Sequence, residues 1–223
     1  VKKIFPYENQ YRRRGFDLIV GIDEAGRGPL AGPVAAGAVA VIDLKVRGGD
    51  MEYLIGAVKD SKKLSESKRE EIFEIITASG NIAWGSALVS ERIIDKVNIL
   101  EASKMAMSKA FLNMKERHPA LIAGKLIYCL IDGNFPVNIP EDQTSVVAGD
   151  AKVFSISAAS IIAKVSRDRY MAKLDKKYPQ YGFSRHKGYP TKQHFAALRN
   201  FGASPAHRMS FAPCADINKK AII

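Results

Sequence analysis

The stretch Phe16-Asp17-Leu18-Ile19-Val20-Gly21-Ile22-Asp23-Glu24-Ala25-Gly26-Arg27-Gly28-Pro29-Leu30-Ala31-Gly32-Pro33 runs from an apolar segment into two adjacent carboxylates and then a glycine-rich loop. Phe16–Ile22 has the length and residue types of a buried strand. In a regular strand Asp23 and Glu24 point to opposite faces, so both approach one centre only if the strand ends there, which the glycines permit. An unpaired buried charge is costly, so the pair marks either a solvated turn or a site. The loop spacing Gly26-x-Gly28-x-x-x-Gly32 is not the dinucleotide fingerprint, and Pro29 and Pro33 oppose the helix that should follow. What remains is a tight loop with exposed backbone and one arginine, suited to close approach by a sugar or phosphate.

Outward from this stretch, strands alternate with helices, the pattern of an α/β domain. Further strands are expected at Val34–Ile42, Asn81–Val89, Lys125–Ile131 and Thr144–Ala148. Helices are expected at Ser65–Ile76, with Ser67 and Glu70 at capping-box spacing, at Val97–Lys115, and from Ala151 to Lys177. A short helix near Gln193–Asn200 closes a Gly/Pro-punctuated tail. There is no internal repeat or long linker, so one domain with a C-terminal extension is the simplest organisation.

Two more carboxylates occupy strand ends. Asp132 follows Leu126–Ile131 and precedes Gly133; Asp150 follows Val146-Val147-Ala148-Gly149 and opens the long helix. Each has an ordinary alternative, an Asp-Gly turn for Asp132 and a helix cap for Asp150. Together with Asp23 and Glu24 they make a stronger pattern, because α/β sheets gather functional groups at the carboxyl ends of parallel strands. Two carboxylates about 4 Å apart repel by roughly 4 kcal/mol at an effective dielectric of 20, so four converging anions take up protons or recruit cations. All-oxygen ligands select hard ions such as Mg²⁺ or Mn²⁺.

Charge placement points the same way. Of the net +11 in this 223-residue chain, none comes from residues 1–150, whereas residues 151–223 carry fourteen Lys/Arg against Asp168, Asp175 and Asp216. A basic third beside an acidic centre fits metal-assisted phosphoryl chemistry on a nucleic acid. The composition, 47% hydrophobic and 26% charged, excludes global disorder, and the isolated Cys129 and Cys214 offer no zinc spacing or disulfide framework. No membrane span or signal-peptide pattern is present, so a soluble cytoplasmic protein is expected. His186 and His194, eight apart, lack zinc-protease spacing, and with His207 they read as structural or phosphate-contact residues.

The segment Gly21–Val34 resembles the signature of bacterial ribonuclease HII, the type 2 ribonuclease H. Further matches follow in family order: Asp60-Ser61-Lys62-Lys63-Leu64-Ser65, Asp132-Gly133, Gly149-Asp150, Ala158–Val165 with Arg167-Asp168, His186-Lys187-Gly188-Tyr189 with Thr191 and His194, and His207-Arg208 with Ser210-Phe211. They span residues 15 to 213, nearly the whole chain. The resemblance implies a ribonuclease H-like α/β fold, a mixed central sheet flanked by helices, with a basic C-terminal helical extension. It implies one domain over residues 1–223, a catalytic core at 15–177 and an extension at 178–223.

The implied activity is hydrolysis of RNA in RNA–DNA hybrids and cutting on the 5′ side of single ribonucleotides embedded in duplex DNA, leaving 3′-hydroxyl and 5′-phosphate ends. Asp23, Glu24, Asp132 and Asp150 would hold two metal ions, Mg²⁺ or Mn²⁺. Gly26, Arg27 and Gly28 would contact the 2′-hydroxyl and adjacent phosphate, Lys62 and Lys164 phosphates near the cut, and Tyr189 the deoxynucleotide after the junction. Ala148 departs from the lysine or glycine of many relatives, so the resemblance carries over no phosphate contact at that position, while the neighbouring carboxylate Asp150 is unaffected. About fifteen residues before the first strand leave no room for the N-terminal domain of ribonuclease HIII, and the Gly-Arg-Gly loop differs from its Gly-Lys-Gly. A monomer is implied, and the tail shows no clamp-binding motif. The alternatives are a ribonuclease HIII-like nuclease limited to longer RNA tracts and a non-catalytic hybrid-binding module.

Overall fold

The computed structural model describes residues 5–45, 48–58 and 64–216. In chain order, helices and strands are α1 (Pro6–Arg12), β1 (Leu18–Ala25), β2 (Val34–Val41), α2 (Gly49–Ala57), α3 (Glu66–Ala78), β3 (Ile82–Val89), α4 (Glu91–Val97), α5 (Ile99–Arg117) and α6 (Pro119–Ile122), then β4 (Ile127–Asp132), β5 (Asp142–Val146), α7 (Phe154–Lys177), α8 (Phe183–His186) and α9 (Lys192–Phe201). The strands form one sheet in the order β3-β2-β1-β4-β5. β1, β2 and β3 pair antiparallel, whereas β1, β4 and β5 run parallel. This is the ribonuclease H-like α/β arrangement that the sequence suggested.

Strict alternation in β1 and β2 splits the interior into two layers. Leu18, Val20 and Ile22, with Val34, Ala36, Ala38 and Ala40, face α5 and meet Ala102, Ala106, Ala110 and Phe111. Val39 and Val41 face the other way, onto Ala158, Ile161, Ile162 and the inner faces of α2 and α3. Phe111 has no exposed surface, so its truncation to alanine removes about 3–5 kcal/mol. Helix α7 lies almost on the backbone of the sheet: a Cβ added at Gly21 would stand 2.2 Å from Ile156 N, and one at Gly37 2.3 Å from Ala159 O. Those two glycines, opposite Ser155, Ile156, Ala159 and Ile162, let α7 come close to the strands that carry the acidic residues.

Several local expectations need correction. β1 continues to Ala25 because β2 pairs with it through Ala25↔Ala35. Helix α3 is capped by Ser65, whose Oγ accepts from Lys68 N at 3.2 Å, and not by Ser67, which lies inside the helix with Glu70. The single helix expected from Val97 is divided at Asn98, whose φ of +70° ends α4 and whose Oδ1 accepts from Leu100 N and Glu101 N to start α5. Asp150 does not cap α7. It sits in a 3₁₀ turn at Gly149–Ala151, and the buried Glu8 of α1 reaches across 147 positions so that its Oε1 accepts from both Ser155 N and Ser155 Oγ at 2.9 Å. Strands β4 and β5 and helix α9 stand within two residues of their expected spans, while α1 and α2 lie where no element was expected.

Beyond α7, the basic extension builds a further apolar cluster in which Tyr181, Phe183, Ala197, Leu198 and Ala206 meet Leu30, Ala31 and Met171. Its chain is bonded to the glycine-rich loop: Leu30 N donates to Gly188 O, Gly32 N to Ala206 O, and Arg208 N to Leu30 O, each at 2.8 Å. No helix among the described residues is long and apolar enough to cross a membrane.

Candidate active site

Parallel pairing of β1 with β4 stops at Ile22↔Ile131, although β1 continues beside β2. Asp23 and Glu24 therefore lie inside β1, whereas Asp132 is the last residue of β4, and the three converge where pairing between these two parallel strands stops. Asp23, Glu24 and Asp132 each offer an oxygen, and these oxygens lie within 4.8 Å of one another. Asp150 is not among that trio but lines the same cleft of about 480 Å³. Asp132 Oδ1 accepts from the backbone of the Asp150 turn, Gly149 N at 2.7 Å and Asp150 N at 3.4 Å. All four acids thus border one cleft at the carboxyl ends of β1, β4 and β5. A larger cavity, about 640 Å³, lies at the other end of β4 beside Lys115, Lys125, Ile127 and Glu141, away from these acids.

The site strains toward a cation. Burial pushes the Asp23 carboxyl well above its ordinary pKa, and the charges of Glu24 and Asp132 push further; Lys164 and a hydrogen bond from Ser160 oppose them. Burial likewise raises Glu24, against the Arg27 guanidinium, which pairs with Glu24 Oε1 at 3.2 Å. Glu24 Oε2 is buried with no hydrogen-bond partner among the described residues. Three clustered carboxylates with an unsatisfied oxygen, and no Cys or His in the trio, fit Mg²⁺ or Mn²⁺. Lys164 of α7 hydrogen-bonds to Ser160 Oγ beside Asp23.

The glycine loop forms the rim. Gly26 has φ +95°, and a Cβ there would lie 2.1 Å from Arg167 Nε, so only glycine fits against that buried side chain. Arg208, fully buried, donates to Gly26 O at 2.6 Å, Arg27 O at 2.9 Å and Gly32 O at 2.9 Å. In a trans peptide the N–H points opposite to the C=O, so fixing the Gly26 and Arg27 carbonyls on Arg208 turns the Arg27 and Gly28 amides away from it. Arg27 is exposed, and Tyr189, 47% exposed, stands across from Gly28, where an added Cβ would be 3.7 Å from Tyr189 Cε1. Arg167 lies over the Tyr189 ring at 5.9 Å and donates to Pro33 O and Ala31 O. Lys62 lies outside the described residues, and Ala148 is exposed with φ +53°.

Arg69, Arg167, Asp168 and Lys187 also line the cleft, although the sequence reading gave them no role. Arg69 comes from α3 and faces Asp168 at 3.9 Å, and Lys187 pairs with Glu66 of α3 at 2.8 Å. Nothing in the local spacing of α3 separates Arg69 from a solvated residue. Arg167, Asp168 and Lys187 stood inside matched motifs, which was their only signal. The three histidines of the tail are buried: His186, His194 and His207 bond to each other, to backbone or to Ser204.

A ribonuclease HII family model matches residues 20–214. Ribonuclease HII of Bacillus anthracis is 48% identical over 215 residues, covering 96% of this chain and 76% of that protein. The ribonuclease H2 crystal structure from Pyrococcus horikoshii superposes with a TM-score of 0.68 at 27% identity, over 91% of this chain and 98% of that one. A structure of Bst-RNase HIII in complex with Mn²⁺ gives 0.70 at 16% identity, over 92% and 70%, a likeness of fold alone. A sequence match this close over nearly the full length of the chain permits one assignment: the protein belongs to the ribonuclease HII family, hydrolases of RNA in RNA–DNA hybrids.

Proposed function

We propose that this enzyme cuts on the 5′ side of single ribonucleotides embedded in duplex DNA as well as within longer hybrids, leaving 3′-hydroxyl and 5′-phosphate ends. The observation that carries the reading is the trio Asp23, Glu24 and Asp132 at the floor of a cleft whose rim holds the Gly26–Gly28 loop and Tyr189. Asp23, Glu24, Asp132 and Asp150 would hold two divalent ions. With Mg²⁺ or Mn²⁺ held there, these residues would gain a Lewis acid that lowers the pKa of a water and offsets charge at the leaving 3′-oxygen.

The chain's own residues supply recognition. The 2′-hydroxyl is the group that separates RNA from DNA, and it both donates and accepts. The Arg27 and Gly28 amides, turned away from Arg208, suit its oxygen, while the Arg27 guanidinium suits the adjoining phosphate. Tyr189 offers a flat face to the following deoxynucleotide. Lys164 sits beside Asp23 and balances charge next to the scissile phosphate; Lys62 serves a phosphate near the cut. The extension works with the core as one unit and the protein acts as a cytoplasmic monomer on hybrid and DNA–RNA–DNA/DNA duplexes.

The deciding experiment maps cleavage, at nucleotide resolution and with Mg²⁺ or Mn²⁺, of a duplex carrying one ribonucleotide and of one carrying four. Cutting 5′ of the single ribonucleotide is expected. Cutting of the four-ribonucleotide tract alone indicates the HIII-like specificity, and binding without cutting indicates a recognition module.

A further inference from the structure

Tyr189 is exposed, yet its backbone is held on both sides. Its N–H donates to His186 O at 2.9 Å, and its carbonyl accepts from Thr191 N at 2.9 Å and from the His194 ring at 3.0 Å. His194 and His207 are buried, with 0% and 1% of their surface exposed, and their Nε2 atoms meet at 3.0 Å. The protons in this chain have one consistent arrangement. Tyr189 O is an acceptor, so His194 Nδ1 carries hydrogen and His194 Nε2 accepts. His207 Nε2–H then donates to it, while His207 Nδ1 accepts from Ser204 N and Ser204 Oγ, each at 2.9 Å.

The result is a directional chain, Ser204 to His207 to His194 to the Tyr189 carbonyl, built from neutral rings. Burial keeps them neutral, holding His194 low and His207 down to about 4, with the neighbouring histidines adding to the effect. His186 stacks on His194 at 4.5 Å, and Phe183 packs edge-on against it. A ring that only filled space would need no such polarity. The next residue after His207 is Arg208, which fixes the Gly26 and Arg27 carbonyls. Two consecutive residues therefore hold both sides of the gap between Gly28 and Tyr189.

We propose that His194, oriented by His207, is the positioning residue for Tyr189 and thereby sets how efficiently the enzyme takes an isolated ribonucleotide relative to a long hybrid. This rests on the reading of Tyr189 as the residue that packs at the RNA–DNA junction. His194 touches no substrate; it acts through the Tyr189 carbonyl.

The test compares kcat/KM on a single-ribonucleotide duplex and on a long hybrid for the wild type, Tyr189→Ala, His194→Asn and His194→Gln. Asparagine places an amide donor where Nδ1 stood, whereas glutamine places it at the ε position and loses the Tyr189 bond. His194→Gln is expected to lower the single-to-long ratio about tenfold, and His194→Asn to stay within about threefold of the wild type. A lowered ratio in Tyr189→Ala with an unchanged ratio in His194→Gln overturns the inference and leaves the role of Tyr189 standing. An unchanged ratio in Tyr189→Ala overturns that role and the inference with it. Independently of any variant's folding, ¹⁵N spectra of the wild-type histidine rings at neutral pH should show His194 protonated at Nδ1 and His207 at Nε2; the opposite tautomer at His194 overturns the proposal.

Discussion

The backbone amide of Gly149 donates to Asp132 Oδ1 across 2.7 Å, which ties the last residue of β4 to the turn that carries Asp150. One oxygen of a candidate metal ligand is thus already engaged in holding a second candidate in place. The acidic site is assembled partly by its own backbone, because the turn after β5 has a buried N–H to satisfy and Asp132 accepts it.

Substitution at Asp132 should separate these two duties. Asp132→Asn keeps an oxygen acceptor for Gly149 and removes the charge, so cleavage should fall about a thousandfold, the effect of losing ~4 kcal/mol of transition-state stabilisation. Substrate binding should hold or tighten, since an anion has left the site. Asp132→Ala should lose the same activity and an additional ~1–2 kcal/mol of stability through the unsatisfied amide. Single-turnover cleavage with parallel denaturation curves checks both; activity within tenfold of the wild type in Asp132→Asn would remove Asp132 from the metal site.

Asp23 links stability to pH with a definite sign. Its carboxyl is raised in the fold by burial and by Glu24 and Asp132, so the folded state holds the proton to higher pH than the unfolded chain does. That contribution is present at low pH and is lost as pH rises through the folded value. In metal-free protein at pH 8, Asp23→Asn should therefore raise Tm by about 2–4 °C, the shift that ~1 kcal/mol gives in a chain of this size. The gain should shrink on acidification and on adding Mg²⁺ to the wild type. A lower Tm for the variant at pH 8 would contradict the electrostatic picture.

The histidine chain carries the opposite dependence. His207 is held down to about 4 by burial and by His194, against an ordinary value of 6.5. Between those values the unfolded chain takes up a proton that the folded one refuses, so stability falls as pH drops from 6.5 toward 4. His207→Gln should flatten this part of the stability–pH curve in urea denaturation at pH 7, 6 and 5. An unchanged slope would mean that the ring titrates freely in the fold.

Ala148 has φ +53° just before the Asp150 turn, a backbone region unfavourable to a residue with a Cβ. Relief of ~1–2 kcal/mol on changing to glycine is partly offset by the unfolded chain's added freedom. Ala148→Gly should raise Tm by about 1–4 °C with cleavage retained. A lower Tm would show that the turn tolerates alanine without strain.

Much of this protein was written locally. The alternation of Val34–Val41, the apolar Leu18–Ile22 and the acidic residues at strand ends follow from short-range pattern, because side-chain direction along a strand is fixed by backbone geometry alone. The placement of Asp23, Glu24, Asp132 and Asp150 on one cleft was accordingly legible. Tertiary structure decided how Asp23 and Glu24 share it, since β4 ends at Asp132 while β1 runs on to Ala25 beside β2. It also decided every partner far away in sequence: Glu8 on Ser155, Arg208 on Gly26 and Arg27, His207 through His194 on Tyr189. Such contacts depend on how packed layers bring distant segments together, and a linear pattern of residue types holds no record of that distance.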